Sequence, residues 1–240
     1  MSKELIKTLV WITIFSIAMA FLESSVVVYL RALYYPSGFE FPLQIIDYDI
    51  GATEFFREAA TIIMLLSIGF IAAKNKIQRF AWFIFSFAIW DIFYYVFLKV
   101  LLDWPVSLLS WDILFLIPVT WVGPVIAPVI CALLMIILGL SIVIISNKKS
   151  KVRISLYEWL LLISGSIVVI ISFILDYINF LLKYYTWKEI INYSWTKDIV
   201  ELTCKYIPQH FNWWIFCTGI LIICVGIFFF IIKSTRIKNE

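Results

Sequence analysis

Short charged connections divide the chain into six apolar stretches, each long enough to cross a bilayer, at residues 8–32, 52–73, 80–101, 125–146, 154–182 and 211–233. A helix rising 1.5 Å per residue covers the roughly 30 Å hydrocarbon core in about 20 residues. In lipid every backbone polar group must be satisfied within the protein, which leaves helices and closed barrels, and runs of this length select the helix. The expected fold is all-α: a polytopic membrane bundle of six transmembrane helices, forming a single integral membrane domain over residues 1–240.

Composition agrees. The chain is 63% hydrophobic and 15% charged, against about 45–50% and about 25% in soluble domains. No Gly-, Ser- or Pro-rich linker separates two units. The N-terminal MSKELIK and the apolar run behind it resemble a secretory leader. That run continues through Val26–Leu30, beyond the roughly 7–15 residues of a leader's apolar region, and reads as an uncleaved first span.

Loop charge predicts the orientation. Lys3 and Lys7, Lys74, Lys76 and Arg79, Lys148, Lys149, Lys151 and Arg153, and Lys233, Arg236 and Lys238 all fall on one side of a six-span chain. Basic loops stay inside, so both termini are expected in the cytoplasm of a cell that carries the protein in its plasma or inner membrane. The opposite connections carry Glu40, Asp47, Asp49, Asp103, Asp198 and Glu201. A net charge of +3 distributed this way sets topology, and nucleic acid is not an expected partner.

Two segments depart from plain spans. Residues 105–128 contain Pro105, Pro118, Pro124 and Pro128, with Gly123 beside Pro124 and Asp112 upstream. Each interior proline deletes a helical hydrogen bond and clashes with the preceding turn. The expectation is a short apolar helix near 108–117, re-entrant or flat on the outer surface, then a break before the fourth span. Residues 187–207 place polar side chains at a roughly helical period opposite Trp187, Ile190, Ile191, Trp195, Val200 and Tyr206. They read as an interfacial amphipathic helix between the fifth and sixth spans, anchoring the chain or capping a cavity.

Ionisable residues concentrate in the outer half of the spans. Glu54, Arg57 and Glu58 share one face at the mouth of the second, Glu23 and Arg31 lie toward one side of the first, and Asp91, Tyr95 and Lys99 follow i, i+4, i+8 on the third. A charge at membrane depth persists when it is paired or functional. Glu23, Arg57, Glu58 and Asp91 are expected to converge in one polar cavity. There they form either a salt-bridge network locking three spans or a proton- or ligand-handling site, with Arg57 suited to a carboxylate or an anionic ligand group. Ser16, Ala20 and Ser24 form a small-residue stripe that favours close helix approach.

Several chemistries lack their residues. His210 is the one histidine, which argues against bis-histidine haem and multi-histidine metal sites. Cys131, Cys204, Cys217 and Cys224 have no zinc or CxxC spacing. GxxxxGK[ST], GxGxxG and GxSxG are absent. No metal site is expected and no cofactor motif is present, with a quinone or a lipid left as the class such a chain would take. The first functional expectation is a non-catalytic subunit of a larger membrane assembly, such as a respiratory or other energy-converting complex, with lipids and other membrane subunits as partners. The alternatives are a small proton, ion or solute transporter, and a membrane enzyme acting on a lipid or isoprenoid headgroup.

Overall fold

A computed structural model of the chain describes residues 2–116, 119–149, 152–193 and 197–236. Pro118, Lys151, Trp195 and Lys238 therefore lie outside the described residues. Among the described residues, six helices are long and apolar enough to span a membrane: α1 (Lys3–Tyr34), α2 (Tyr48–Ala72), α3 (Lys76–Leu102), α4 (Ile126–Lys148), α5 (Leu156–Leu181) and, last in the chain, α8 (Trp213–Arg236). The protein is a polytopic helical membrane bundle.

Polar residues at the helix starts explain several boundaries. The Ser2 hydroxyl accepts from the Leu5 amide at 3.2 Å, and the Asn75 side chain accepts from Gln78 at 2.8 Å. Ser155 and Glu158 form a reciprocal capping box at the start of α5. At the end of α3 the chain turns through Asp103 in the left-handed region at φ 50°, a conformation that Asp tolerates better than most side chains.

The bundle is held as two groups. In one, α3 packs against α1, α2 and α4; in the other, α5 and α8 pack along their length, and α4 joins the groups through α8. The Ser16–Ala20–Ser24 stripe is fully buried, and the Ser24 hydroxyl bonds to the Tyr94 carbonyl of α3 at 3.1 Å, so the small residues serve close approach. Facing glycines play this part between α5 and α8, as a Cβ on Gly165 would sit 2.9 Å from the Gly219 carbonyl oxygen.

Two poles emerge. Ser2, Asn147, Lys149, Arg153, Glu158, Lys233 and Ser234 meet at one end, where Lys233 bonds Glu158 and the Arg153 carbonyl and Lys149 bonds the Ser234 carbonyl. Lys149, Arg153 and Lys233, basic residues of two different connections, thus share a pole.

The other pole differs from the expectation in the proline segment. Residues 108–116, the described part of the expected short helix, do not form one: β1 (Trp111–Phe115) pairs antiparallel with β2 (Trp121–Pro124), opposing Asp112 to Gly123. The prolines account for this, since Pro124 closes β2 and Pro128 falls in the first turn of α4, where a missing amide costs nothing. The ribbon packs into the bundle rather than lying flat on the surface: β1 is half-buried and β2 mostly buried, with Asp112 and Val122 almost inaccessible. Gly123 permits that burial, because a Cβ there would meet the Phe173 ring at 3.0 Å. Irregular backbone of this kind survives inside a bundle where protein or a cavity satisfies it.

Among the described residues, the region 187–207 carries two short helical stretches, α6 (Trp187–Tyr193) and α7 (Lys197–Thr203). Ile190, Ile199, Leu202 and Tyr206 are buried against Tyr177, Ile178 and Leu181 of α5, while Trp187 is exposed. Tyr206 donates to Asp176 at 2.7 Å, and the Gln209 amide reaches the same oxygen at 3.1 Å. Burial and that carboxylate hold the Tyr206 hydroxyl above its ordinary range, so it remains a donor.

Candidate functional site

The elements enclose a cavity of about 960 Å³. Its wall runs along α3 from Phe80 near the basic pole to Tyr95, a rise of about 22 Å at 1.5 Å per residue. Toward the basic pole the lining is apolar, from Ile84, Leu138, Leu162 and Ile227. Toward the other pole it turns polar, and Ile190, Ile199 and Thr203 of the α6–α7 segment line that end. This segment therefore caps a cavity as well as covering α5.

Polarity begins on α2. Glu54, Arg57, Glu58 and Thr61 recur at helical spacing, which turns them to one side. The Arg57 guanidinium pairs with Glu54 one turn before it, through Nε to Oε2 at 2.8 Å, and across to Glu23 of α1. The Thr61 hydroxyl donates to the second Glu23 oxygen at 3.2 Å. Glu58 instead accepts from the Leu116 amide at the end of the ribbon, at 3.2 Å to each oxygen. This bond ties α2 to the ribbon. Arg57, read in the sequence as suited to a carboxylate or an anionic ligand group, takes two protein carboxylates.

A second group lies between α3 and the ribbon. The Tyr95 hydroxyl donates to Asp112 at 3.1 Å. Asp91, one turn before Tyr95, lies in the cavity wall and interacts electrostatically with Asp112. Among the described residues no hydrogen-bond partner falls on the Asp91 carboxyl. Arg31 is buried between the Trp104 ring, 4.0 Å from its guanidinium carbon, and the Phe39 ring at 4.6 Å. It too interacts with Asp112.

Glu23, Arg31, Glu54, Arg57, Glu58, Asp91, Tyr95 and Asp112 thus line one cavity. Lys99 does not join them. Its ammonium pairs with Asp103 at 2.7 Å on the exposed end of α3, because four further residues along the helix carry it past the cavity mouth. Among the proline-segment residues, Asp112 and Pro128 line the cavity; Gly123 and Pro124 are buried outside the lining. The cavity is mostly apolar, where a polar one was expected.

Sequence reasoning left Asp112 with the broken segment and passed over Thr61, Tyr94, Trp90 and Trp121, all of which line the cavity. Thr61 was within reach, standing four residues after Arg57. The recurrence of Trp-Asp at Trp90–Asp91 and Trp111–Asp112 was another usable signal, since both aspartates enter the same wall.

Among the described residues no group of His, Cys, Asp and Glu has the arrangement of a metal site. Compared with protein-family models, with curated proteins and with solved structures, the chain matches none.

α2 contacts α3 and touches α1 only lightly, and it makes no substantial packing with α5 or α8. Yet α2 and α5 both line the cavity, through Phe55, Glu58 and Ile62 on one side and Ser166, Ile170 and Phe173 on the other. α2 and α5 therefore face each other across the cavity without packing directly.

Proposed function

We propose that this protein holds a membrane amphiphile, a lipid or an isoprenoid, with its tail in the cavity and its polar head toward the carboxylate-rich end. The observation that carries this reading is the cavity itself, about 960 Å³ of largely apolar space with polar groups gathered at one end. Protein interiors are close-packed, and voids much larger than a water molecule are few. Ligand pockets run about 300–1,000 Å³, with apolar walls and a few placed polar groups. The lack of direct packing between α2 and α5 is the feature that supports lateral entry from the bilayer. Asp91 and Glu58 are the groups that would exchange protons with a bound head, and the Tyr95–Asp112 pair would orient it.

Proton or small-solute transport is a second reading. It draws on Asp91, which lies in the cavity wall with no hydrogen-bond partner among the described residues. Flux through the purified protein in liposomes tests it. The reading as a subunit of a larger complex draws instead on the absence of recognisable redox motifs from the sequence, and stoichiometric copurification tests that. The orientation that accompanies all three puts the basic pole and both termini in the cytoplasm of the cell membrane. Its support is the bias of Lys and Arg to that pole.

Mass spectrometry of the protein purified in mild detergent tests the amphiphile reading. One amphiphile class should remain bound at near one per chain. Ser166→Phe, which fills the cavity from α5, should release it while the protein keeps a cooperative thermal transition. Failure of any amphiphile to bind saturably, or equal retention by the filled variant, overturns the reading.

A further inference from the structure

Six carboxyl groups and two guanidiniums line the cavity, and among the described residues no lysine or histidine joins them, so acid exceeds base. Five of the carboxyls are answered within the protein. Glu23 and Glu54 take Arg57, and Glu58 takes the Leu116 amide. Asp112 takes the Tyr95 hydroxyl at 3.1 Å, and Asp47 takes the Tyr34 hydroxyl at 3.4 Å. Asp91 has no such partner among the described residues, and the charge that acts on it is a second carboxylate, Asp112. Arg31, beside the Trp104 and Phe39 rings, acts on Asp112 and not on Asp91.

The Asp91 carboxyl is open to the cavity. It lies deep in the protein, near the middle of α3, the helix on which α1, α2 and α4 all pack. Yet the residue keeps part of its surface accessible, and at that depth the accessible surface is cavity surface. Among the described residues, the unpartnered side-chain atoms that are sealed off belong to Trp90, Trp121 and Ser146; the Asp91 oxygens are not among them. Its electrostatic neighbours across the helix, Asp112 of β1 and Cys131 of α4, line the cavity too.

Position adds to this. Along α3 the cavity wall is apolar through Phe80, Ile84 and Phe87, and Asp91 is the first ionisable residue it reaches. The carboxyl therefore stands where tail gives way to head. A carboxylate in a low-dielectric wall is costly without a counter-charge, and its attraction to a ligand cation there is stronger than in water.

Building on the amphiphile reading, we propose that the cavity selects an amphiphile whose head carries a protonated amine, with Asp91 as its counter-ion and the tail running toward Phe80 and Ile227. The ammonium donates to carboxyl oxygens that no described residue reaches. Long-chain amines of the sphingoid-base kind and amine-headed phospholipids such as phosphatidylethanolamine share this chemistry.

Native mass spectrometry of the full chain in maltoside micelles counts the molecules bound, and four probes separate the outcomes. Decylamine carries the ammonium on a plain tail, and dioctanoyl phosphatidylethanolamine carries it beside a phosphate. Decanol keeps the tail with an uncharged head, and decyl phosphate with an anionic one. An amine probe should saturate near one per chain and bind about ten- to a hundredfold more tightly than decanol or decyl phosphate, the span of one charge-assisted hydrogen bond. The tighter of the two amine probes identifies the source. Asp91→Asn should bring that probe down to the level of decanol, and Asp91→Glu should keep the preference. Equal binding of the amines and decanol by the unaltered protein, or an amine preference that survives Asp91→Asn, overturns the proposal and leaves the amphiphile reading standing. Tightest binding of decyl phosphate does the same. If none of the four binds saturably, the amphiphile reading falls and the amine assignment with it.

Discussion

Arg57 of α2 reaches across to Glu23 of α1, and this ion pair joins two helices that otherwise barely touch. Glu23 is the more buried partner, and Arg57 holds Glu54 as well. The loss of either member is therefore unequal. Arg57→Met leaves Glu23 only the Thr61 hydroxyl and should lower stability by about 2–3 kcal/mol, somewhat below the ~3–5 kcal/mol of a fully buried pair. Glu23→Gln leaves Arg57 its second carboxylate and should cost about 1 kcal/mol. Chemical denaturation in detergent measures both. Equal losses would mean that Glu54 contributes nothing to holding Arg57.

The α5–α8 crossing depends on the absence of two side chains. A Cβ on Gly219 would sit 2.9 Å from the Gly165 carbonyl oxygen and 2.9 Å from the Val169 amide nitrogen, backbone atoms that cannot swing aside. Gly165→Val and Gly219→Val should each destabilise by at least the ~1–3 kcal/mol of an overpacked core. Gly51, with nothing within 4 Å of its added Cβ, should accept Ala with a small gain, since Ala is the better helix former. Thermal melts of the three variants make the comparison.

Glu158 performs two tasks at the basic pole: it completes the α5 capping box and accepts from Lys233 of α8 at 2.6 Å. Glu158→Ala should cost about 2–3 kcal/mol, roughly 1 of it the cap and the remainder the mostly buried ion pair. Lys233→Met removes only the exposed partner and should cost less. A double variant no worse than Glu158→Ala alone would confirm that the lysine acts through this carboxylate.

Topology has a direct test. The basic pole gathers the ends of α1, α4, α5 and α8, so reporters fused after Asn147 and at the C-terminus should read the same compartment. The expected compartment is the cytoplasm. Opposite signals from the two fusions would contradict the six-span bundle.

The Tyr95–Asp112 bond connects α3 to the ribbon inside the cavity. Tyr95→Phe removes the donor and leaves a buried carboxyl with less support, so a loss of about 1–2 kcal/mol is expected. If Asp112 orients a ligand head, the same variant should also weaken the binding of whichever amphiphile the protein retains. A stability loss without a change in binding would confine the pair to a structural role.

The six spans were legible because length and hydropathy are local properties. A run of some 20 apolar residues satisfies its own backbone only as a helix, whatever surrounds it. The break before the fourth span was legible for the same reason, since proline forbids a helix through local sterics. Its replacement was not. Residues 111–115 form a strand because Trp121–Pro124 lies beside them and because Gly123 lets Phe173 approach, and neither partner is visible in the segment itself.

The candidate site divides in the same way. Helical spacing alone put Glu54, Arg57 and Glu58 on one face, and the cost of lipid exposure turned that face inward. Which carboxylate Arg57 would take, and that Lys99 would end outside with Asp103, depended on how α1 and α3 rotate against α2. The size of the cavity, its apolar depth and the separation of α2 from α5 across it belong to no single segment. They arise because α3 gathers α1, α2 and α4 while α5 and α8 hold each other, and the space left between two separately packed groups is a property of their arrangement alone.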